Sequence, residues 1–350
     1  MIDYLGNAYP VLAKKLRKTP FAALPTPVSH HEIETPAGKN SISIKHDDQT
    51  NAVYGGNKIR KLEYIFQRAV ERGAKRVATF GAVGSNHALA TAIFAKKLAL
   101  GCTCFLAHQK RTPNIQKTLE MHLQLGTEIV RYGGSTDRVA LFRRYLQNRQ
   151  TWVIPLGGTC WLGTVGFVNA GLELAAQIAA GEIETPNRIY MANGTMGSVA
   201  GLALGLALAN LPTEIHAVRV ADSRFVKPDV LVKLMRKTAV LLNRLDASFP
   251  AELADRSRIV WRDEFYAGGY AAFDDATVGA VNLAREQLDL TLETTYTGKA
   301  LAALLHDLDD RKLTGSSLFW NTFNSRALPD TAAEHRDLGS LPQEFRRYFE

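Results

Sequence analysis

Residues 54 to 63, Tyr-Gly-Gly-Asn-Lys-Ile-Arg-Lys-Leu-Glu, join a glycine pair to a lysine and then to an amphipathic run. Gly55 and Gly56 allow backbone angles that other residues resist and let the chain pass close to a ligand. Leu62, Ile65, Phe66 and Ala69 recur at helical spacing just after Lys58. A lysine held at such a loop-to-helix junction and removed from water can act as an imine-forming amine. Taken alone, the same stretch reads as a glycine turn, a helix start and a solvated lysine.

Three further constellations give it a context. Gly81-Ala82-Val83-Gly84-Ser85-Asn86-His87 lies between a strand-like and a helix-like run. Backbone N–H groups and the positive helix end face outward there, and Ser85 and Asn86 add donors suited to a carboxylate or hydroxyl. Asn193-Gly194-Thr195-Met196-Gly197-Ser198 repeats the arrangement with two glycines and two hydroxyls. It suits a phosphate. It lacks the Walker lysine, and no G-x-G-x-x-G with a following acidic residue is present, so neither nucleoside-triphosphate hydrolysis nor dinucleotide binding is favoured. The last group is C-terminal: Tyr266 and Tyr270 in a glycine-containing loop, Tyr296-Thr297-Gly298-Lys299, and Asn321-Thr322-Phe323-Asn324. Lys299 reads as a surface residue at a helix start.

A lysine amine, a phosphate cradle, a carboxylate-suited helix start and loop tyrosines together form the inventory for pyridoxal 5'-phosphate. Composition is that of an ordinary soluble globular protein. The 350 residues are 46 % hydrophobic and 22 % charged, enough for one large domain or two moderate ones. The apolar runs read as broken before they could span a bilayer, and the start of the chain lacks a signal-peptide layout. Three cysteines, Cys102, Cys104 and Cys160, form no disulfide framework, which points to a reducing, cytoplasmic setting and to no metal site. The net charge of +8 is spread along the chain, with its densest cluster at Lys14, Lys15, Arg17 and Lys18 reading as a solvated helix face. Nucleic-acid binding is not expected; attraction for anionic substrates or cofactors is.

Positioning these residues requires alternating strands and helices. Strands are expected at 41–46, 77–80, 102–107, 129–130, 152–155, 188–192, 214–220, 259–260 and 317–320. Helices are expected at 85–98, 113–125, around 140–146, 167–180, from 198, and at 226–244, 275–288 and 298–311. This is an α/β pattern of parallel sheets covered on both faces. With no obvious linker, two domains that exchange chain are expected: residues 1–60 and 160–350 forming a large cofactor-binding part, and 61–159 a small substrate-gating part.

Gly55-Gly56-Asn57-Lys58-x-Arg60-Lys61-Leu62-Glu63-Tyr64 resembles the lysine motif of the 1-aminocyclopropane-1-carboxylate (ACC) deaminase and D-cysteine desulfhydrase family. The likeness continues in order through Gly84 to His87, Ile154-Pro155-x-Gly157-Gly158, Gly163-x-x-Gly166-Phe167-Val168, Gly194 to Leu202, Tyr270 and Tyr296 to Lys299, over roughly residues 20 to 330. It implies a fold-type II, tryptophan-synthase-β-like pyridoxal phosphate enzyme, homodimeric as that family usually is. It implies Lys58 as the Schiff-base lysine and Asn86 as the partner of the cofactor's 3′-oxygen. Ser85 and His87, with Asn86 between them, would line the substrate carboxylate site, and Gly194, Thr195, Met196, Gly197 and Ser198 would hold the phosphate. Ser85, Tyr270 and Tyr296 would join Lys58 in catalysis, and Thr322 would meet the pyridine nitrogen.

Three departures bear on the substrate. Ring-opening deaminases of the family carry a glutamate after the second tyrosine; Thr297 stands here, as in desulfhydrase-like members. A neutral hydroxyl leaves the ring a weaker electron sink, adequate for β-elimination and poor for ring opening. Phe323-Asn324-Ser325 replaces a usual glycine pair, and Ala271-Ala272-Phe273-Asp274-Asp275 replaces the usual Gly-x-Pro-Asn. The expected activity is therefore β-elimination from a small amino acid, D-cysteine first, giving pyruvate, ammonia and sulfide. The alternatives are deamination of ACC or another small amino acid such as D-serine, a non-catalytic amino-acid or cofactor-binding protein on the same fold, and, more distantly, a nicotinamide dehydrogenase.

Overall fold

The computed structural model describes residues 2–133, 150–310, 314–328 and 338–350. The helix expected around 140–146 lies outside them. The chain divides into two compact units, Met1–Tyr64 with Thr159–Arg326 and Ile65–Gly158 with Ala327–Glu350. Residues 327–350, read from sequence as part of the larger half, group with the smaller one.

The first unit opens with two short helices, α1 (Tyr4–Ala8) and α2 (Pro10–Lys15), followed by the hairpin β1 (Val28–Thr35) and β2 (Gly38–His46). Sequence reading found β2 but not β1. Helix α3 (Lys58–Glu71) begins at the lysine itself and carries the chain into the second unit. There β3 (Arg76–Ala82), α4 (Asn86–Lys97), β4 (Gly101–Ala107), α5 (Ile115–Gln124), β5 (Glu128–Arg131) and β6 (Thr151–Ile154) follow. Their four strands form one parallel sheet in the order β5-β4-β3-β6. A final 3-10 turn, Gln343–Tyr348, belongs to this unit.

The chain re-enters the first unit with α6 (Trp161–Ala179), β7 (Arg188–Asn193), α7 (Gly197–Leu208), β8 (Glu214–Arg219), α8 (Pro228–Leu245), β9 (Ile259–Arg262), α9 (Asp275–Gln287), α10 (Thr297–Asp309) and β10 (Ser317–Asn321). The six strands run β1-β2-β10-β7-β8-β9, parallel except for β1 against β2. Strand alternation splits the core between the two faces. Ile189, Met191, Leu318 and Trp320 join the cluster formed with α6, α7 and α8, while Tyr190, Ala192 and Phe319 join the one with α9 and α10.

Helices α6 and α7 meet backbone to backbone. A Cβ on Gly171 would stand 2.8 Å from the Gly205 Cα, so only glycine allows this approach. Helix α6 is also long and apolar enough to cross a bilayer, contrary to the sequence reading, yet 72 % of that stretch is buried inside the protein. The basic cluster near α2 is solvated at Lys14, Lys15 and Arg17, but the Lys18 side chain is 7 % exposed with its ammonium 3.7 Å from Glu63 Oε2.

Candidate active site

The loop before Lys58 is held from three sides. Gly55 N–H donates to Asn324 Oδ1 at 2.6 Å, Gly56 N–H to the Asp47 carbonyl at 2.7 Å, and Asn57 N–H to the Thr322 carbonyl at 3.2 Å. A Cβ on Gly55 would lie 1.7 Å from the Asp48 carbonyl oxygen, and Gly56 takes φ +95°, so both positions require glycine. Asn324, a departure from the family pattern, is thus a strut of the lysine loop. Two residues past Lys58, Arg60 is locked between Asp47, at 2.7 Å, and Glu173, at 2.8 Å. Lys45 reaches the same Glu173 at 2.6 Å. Burial would raise the Glu173 carboxyl, but Arg60 and Lys45 hold it at about 2. The four-charge cluster fixes the first turn of α3 and, with it, the direction in which Lys58 leaves the backbone.

The Lys58 side chain keeps partial exposure, while desolvation of its ammonium lowers it from 10.5 to about 8. One turn further along α3, Lys61 is 1 % exposed. Burial and the nearby Lys58 charge push it well below the ordinary lysine range. Its ammonium approaches the Gly194–Ser198 loop: a Cβ on Gly197 would stand 3.0 Å from Lys61 Nζ and 3.0 Å from Thr159 Oγ1. Thr159 Oγ1 donates to Thr195 Oγ1 at 2.7 Å, and Asn57 Nδ2 donates to Ser198 Oγ at 2.9 Å. Met196 bends the loop into the left-handed region (φ +67°) just before α7. Glycine leaves the cradle its room, the helix start supplies N–H groups, and Lys61 supplies charge.

Tyr270 and Tyr296 meet oxygen to oxygen at 2.5 Å, and Tyr296 packs against the same loop, with a Cβ on Gly194 falling 3.1 Å from its Cε1. Burial raises Tyr270 to about 12 and Tyr296 well above its ordinary value. Tyr296 is held by Glu293, whose carboxylate accepts the N–H groups of Thr295 at 2.6 Å, Tyr296 at 3.0 Å and Thr297 at 2.8 Å, and the Thr297 hydroxyl at 3.1 Å. Burial raises the Glu293 carboxyl, and those backbone donors work against the shift. Lys299 is not a surface residue as the sequence suggested: it is 0 % exposed, donates to the Tyr266 carbonyl at 2.7 Å and sits at about 8 because of burial. It ties the tyrosine loop to α10. Asp274 caps α9 through the Thr277 N–H at 2.9 Å, so the second unusual stretch is a helix start.

In the second unit, Ser85 caps α4 as expected, its Oγ accepting the Ala88 N–H at 3.2 Å. Asn86 opens the helix, and His87 Nε2 lies 2.9 Å from Thr79 Oγ1 on the neighbouring strand. These three residues occupy one turn of that unit. Lys58, Asn57, Lys61, Thr159, the Gly194–Ser198 loop, Tyr270, Tyr296 and Thr322 belong to the first.

The residues present suit pyridoxal phosphate. A phosphate in the cradle would favour the charged form of Lys61, which burial disfavours, and the buried Asn193 amide beside it has no hydrogen-bond partner among the described residues for either polar atom. Sequence reading missed Lys61, Thr159, Asn57 and Glu293. Lys61 was within reach of it, since i and i+3 put Lys58 and Lys61 on one helix face. No group of three or more His, Cys, Asp or Glu among the described residues could hold a metal ion.

Known proteins share this architecture. Residues 17–319 match the family model "Pyridoxal-phosphate dependent enzyme". The chain is 33 % identical over 323 residues to D-cysteine desulfhydrase of Salmonella paratyphi B (strain ATCC BAA-1250 / SPB7), covering 87 % of this chain and 93 % of that protein. The solved structure of an ACC deaminase homologue superposes with TM-score 0.72 at 27 % identity, covering 90 % of this chain and 94 % of that one. Maize serine racemase, at 18 % identity and TM-score 0.59 over 99 % of this chain and 97 % of its own, shares the fold. The chain therefore belongs to the pyridoxal-phosphate dependent enzymes of fold type II, and within them to the ACC deaminase and D-cysteine desulfhydrase type.

Proposed function

We infer that the protein is a lyase that removes the β-substituent and the amino group of a small amino acid, with D-cysteine the first choice. The balance is D-cysteine and water in, and pyruvate, ammonia and hydrogen sulfide out. The observation that carries this reading is the placement of Lys58: an amine at a helix start, depressed to about 8, on the same helix face as the Lys61 that approaches the Gly194–Ser198 cradle. Supporting it are the 33 % identity to a D-cysteine desulfhydrase and the presence of Thr297 where ring-opening relatives carry a carboxylate.

Pyridoxal phosphate, when bound, supplies the electron sink that makes the substrate α-proton acidic. Lys58 would carry the cofactor and then, as a neutral amine, take that proton; a placed base contributes on the order of 10²- to 10⁴-fold. Lys61, Thr195, Gly197 and Ser198 would hold the phosphate, and Asn193 would offer its amide nearby. Ser85, Asn86 and His87 would receive the substrate carboxylate and the cofactor's 3′-oxygen. Tyr270 and Tyr296 would flank the substrate, with Thr322 toward the pyridine nitrogen. On this reading the first unit binds the cofactor and the second gates the substrate. A homodimer in a reducing cytoplasm belongs to the same proposal, supported by the resemblance and by three free thiols.

ACC deamination is the second reading, favoured by the match to the ACC deaminase homologue. Keto-acid release from D-cysteine, L-cysteine, D-serine and ACC separates the two. Release from D-cysteine well above the others is expected. Release from ACC alone overturns the β-elimination reading, and cofactor absorbance without any turnover overturns the enzyme reading.

A further inference from the structure

The last 3-10 turn, Gln343–Tyr348, lies against the loop that follows β4. Phe345 and Tyr348 are 0 % and 3 % exposed, so the segment is seated in the second unit rather than trailing from it. The Tyr348 phenol closes on Gln109 from both sides of its peptide backbone. It accepts the Gln109 N–H at 3.2 Å and donates to the Gln109 carbonyl at 3.0 Å. Its oxygen also lies 3.2 Å from His108 Nδ1. Arg111 donates to the Tyr348 carbonyl at 3.0 Å, and the His108 ring meets Phe345 edge-on at 5.0 Å.

Gln109 faces the other way with its side chain. Its Oε1 accepts the Gly84 N–H at 3.2 Å, in the turn that leads into Ser85, Asn86 and His87. The fit is close: a Cβ on Gly84 would stand 3.1 Å from Gln109 Nε2 and 3.2 Å from Ile115 Cγ1. The turn is thus held inside by Ser85 capping α4 and outside by Gln109, whose backbone is in turn clamped by Tyr348.

We propose that Gln109 and Tyr348 are positioning residues through which the C-terminal strap sets the Gly84–His87 turn, and with it the tightness of the substrate carboxylate site. The inference rests on the reading of that turn as the carboxylate site. A turn ordered by a side-chain hydrogen bond presents its N–H groups already aimed, so losing the bond weakens binding of the anion more than it slows the chemistry.

The test uses the holoenzyme with Tyr348→Phe, which keeps the ring packing, and Gln109→Ala, which keeps the strap. Amide hydrogen exchange at Gly84 reads the turn whatever the turn binds, and steady-state kinetics with D-cysteine read the site. Exchange at Gly84 is expected to quicken about 3- to 10-fold in both variants, as expected for one hydrogen bond. KM is expected to rise by a similar factor, with kcat within about twofold of the parent. Unchanged exchange at Gly84 in both variants overturns the coupling. A fall in kcat together with cofactor absorbance overturns it too, because that is the signature of a merely structural role. Quickened exchange, with KM unmoved in Tyr348→Phe and also in Ser85→Ala, overturns the carboxylate reading of the turn while the coupling from Tyr348 to Gly84 stands.

Discussion

The Thr297 hydroxyl donates to Glu293 Oε1 at 3.1 Å, and the Glu293 backbone N–H returns a contact to Thr297 Oγ1 at 3.3 Å. The hydroxyl that stands in place of the ring-opening glutamate is therefore committed to a carboxylate three residues before Tyr296. Thr297→Glu would set a second carboxylate beside Glu293, and like charges in a desolvated place oppose one another. The single variant is expected to lose about 1–3 kcal/mol of stability, the range of a buried charge or hydrogen-bond conflict. It should gain no ACC turnover. Thr297→Glu combined with Glu293→Gln should recover most of the stability, because the second substitution removes the repulsion. Urea unfolding of the three proteins and keto-acid release from ACC check both statements.

Lys61 carries opposed effects on stability and cofactor binding. Its ammonium is costly to bury, as its depressed pKa indicates, yet it stands at the phosphate cradle. Lys61→Met removes the desolvation cost and keeps the length of the side chain. The cofactor-free variant should melt a few degrees higher than the parent, the shift about 1 kcal/mol produces in a chain of this size. Its affinity for pyridoxal phosphate should fall by about tenfold or more, the loss of a charge-assisted contact. Differential scanning fluorimetry without cofactor and absorbance titration with it give the two signs separately.

Which of these residues could be read in advance follows from how far apart in sequence their partners lie. The Lys58 loop, the Ser85 cap and the Gly194–Ser198 loop were legible because glycine, cap residue and helix onset sit side by side. Thr159 was not, and Lys61 only in part: its i, i+3 spacing from Lys58 was visible, but the approach of both to Gly197 joins positions far apart in the chain, and Lys61 reads as one more base in a charged run. Lys299 misled for the same reason, since T-G-K before an apolar stretch looks like an exposed helix start. Its partner, the Tyr266 carbonyl, comes from a different loop. Strand order was beyond local pattern as well: β10, last in sequence, sits between β2 and β7 at the centre of its sheet. The alternation of strands and helices fixed the class, while long-range contacts set the chemistry.

His122 gives the second unit an acid limit. The ring is 0 % exposed, and burial lowers it from 6.5 to about 4. An unfolded chain binds that proton from about pH 6.5 downward, whereas the folded one resists until about 4. The unfolded state therefore holds more protons in this window, and stability present above pH 6.5 is lost progressively toward pH 4. The full difference is on the order of 3 kcal/mol. His122→Phe should flatten the fall in urea midpoint between pH 7 and pH 4.5, measured for both proteins in the same buffers.

Lys58 sets a pH dependence for cofactor capture that also rises with pH, in a higher window. Only the neutral amine attacks an aldehyde, and desolvation brings this lysine from 10.5 to about 8. Below that value the neutral fraction falls about tenfold for each pH unit. Uptake of pyridoxal phosphate by cofactor-free protein should accordingly accelerate from pH 6 to about 8 and then level, where a solvated lysine would keep accelerating through pH 10. Stopped-flow growth of the visible absorbance measures the rate across that range. Lys58→Ala should show no such band at any pH while keeping the parent's far-ultraviolet circular dichroism. A rate still rising tenfold per unit above pH 9 would sink the assignment of Lys58 as the desolvated amine.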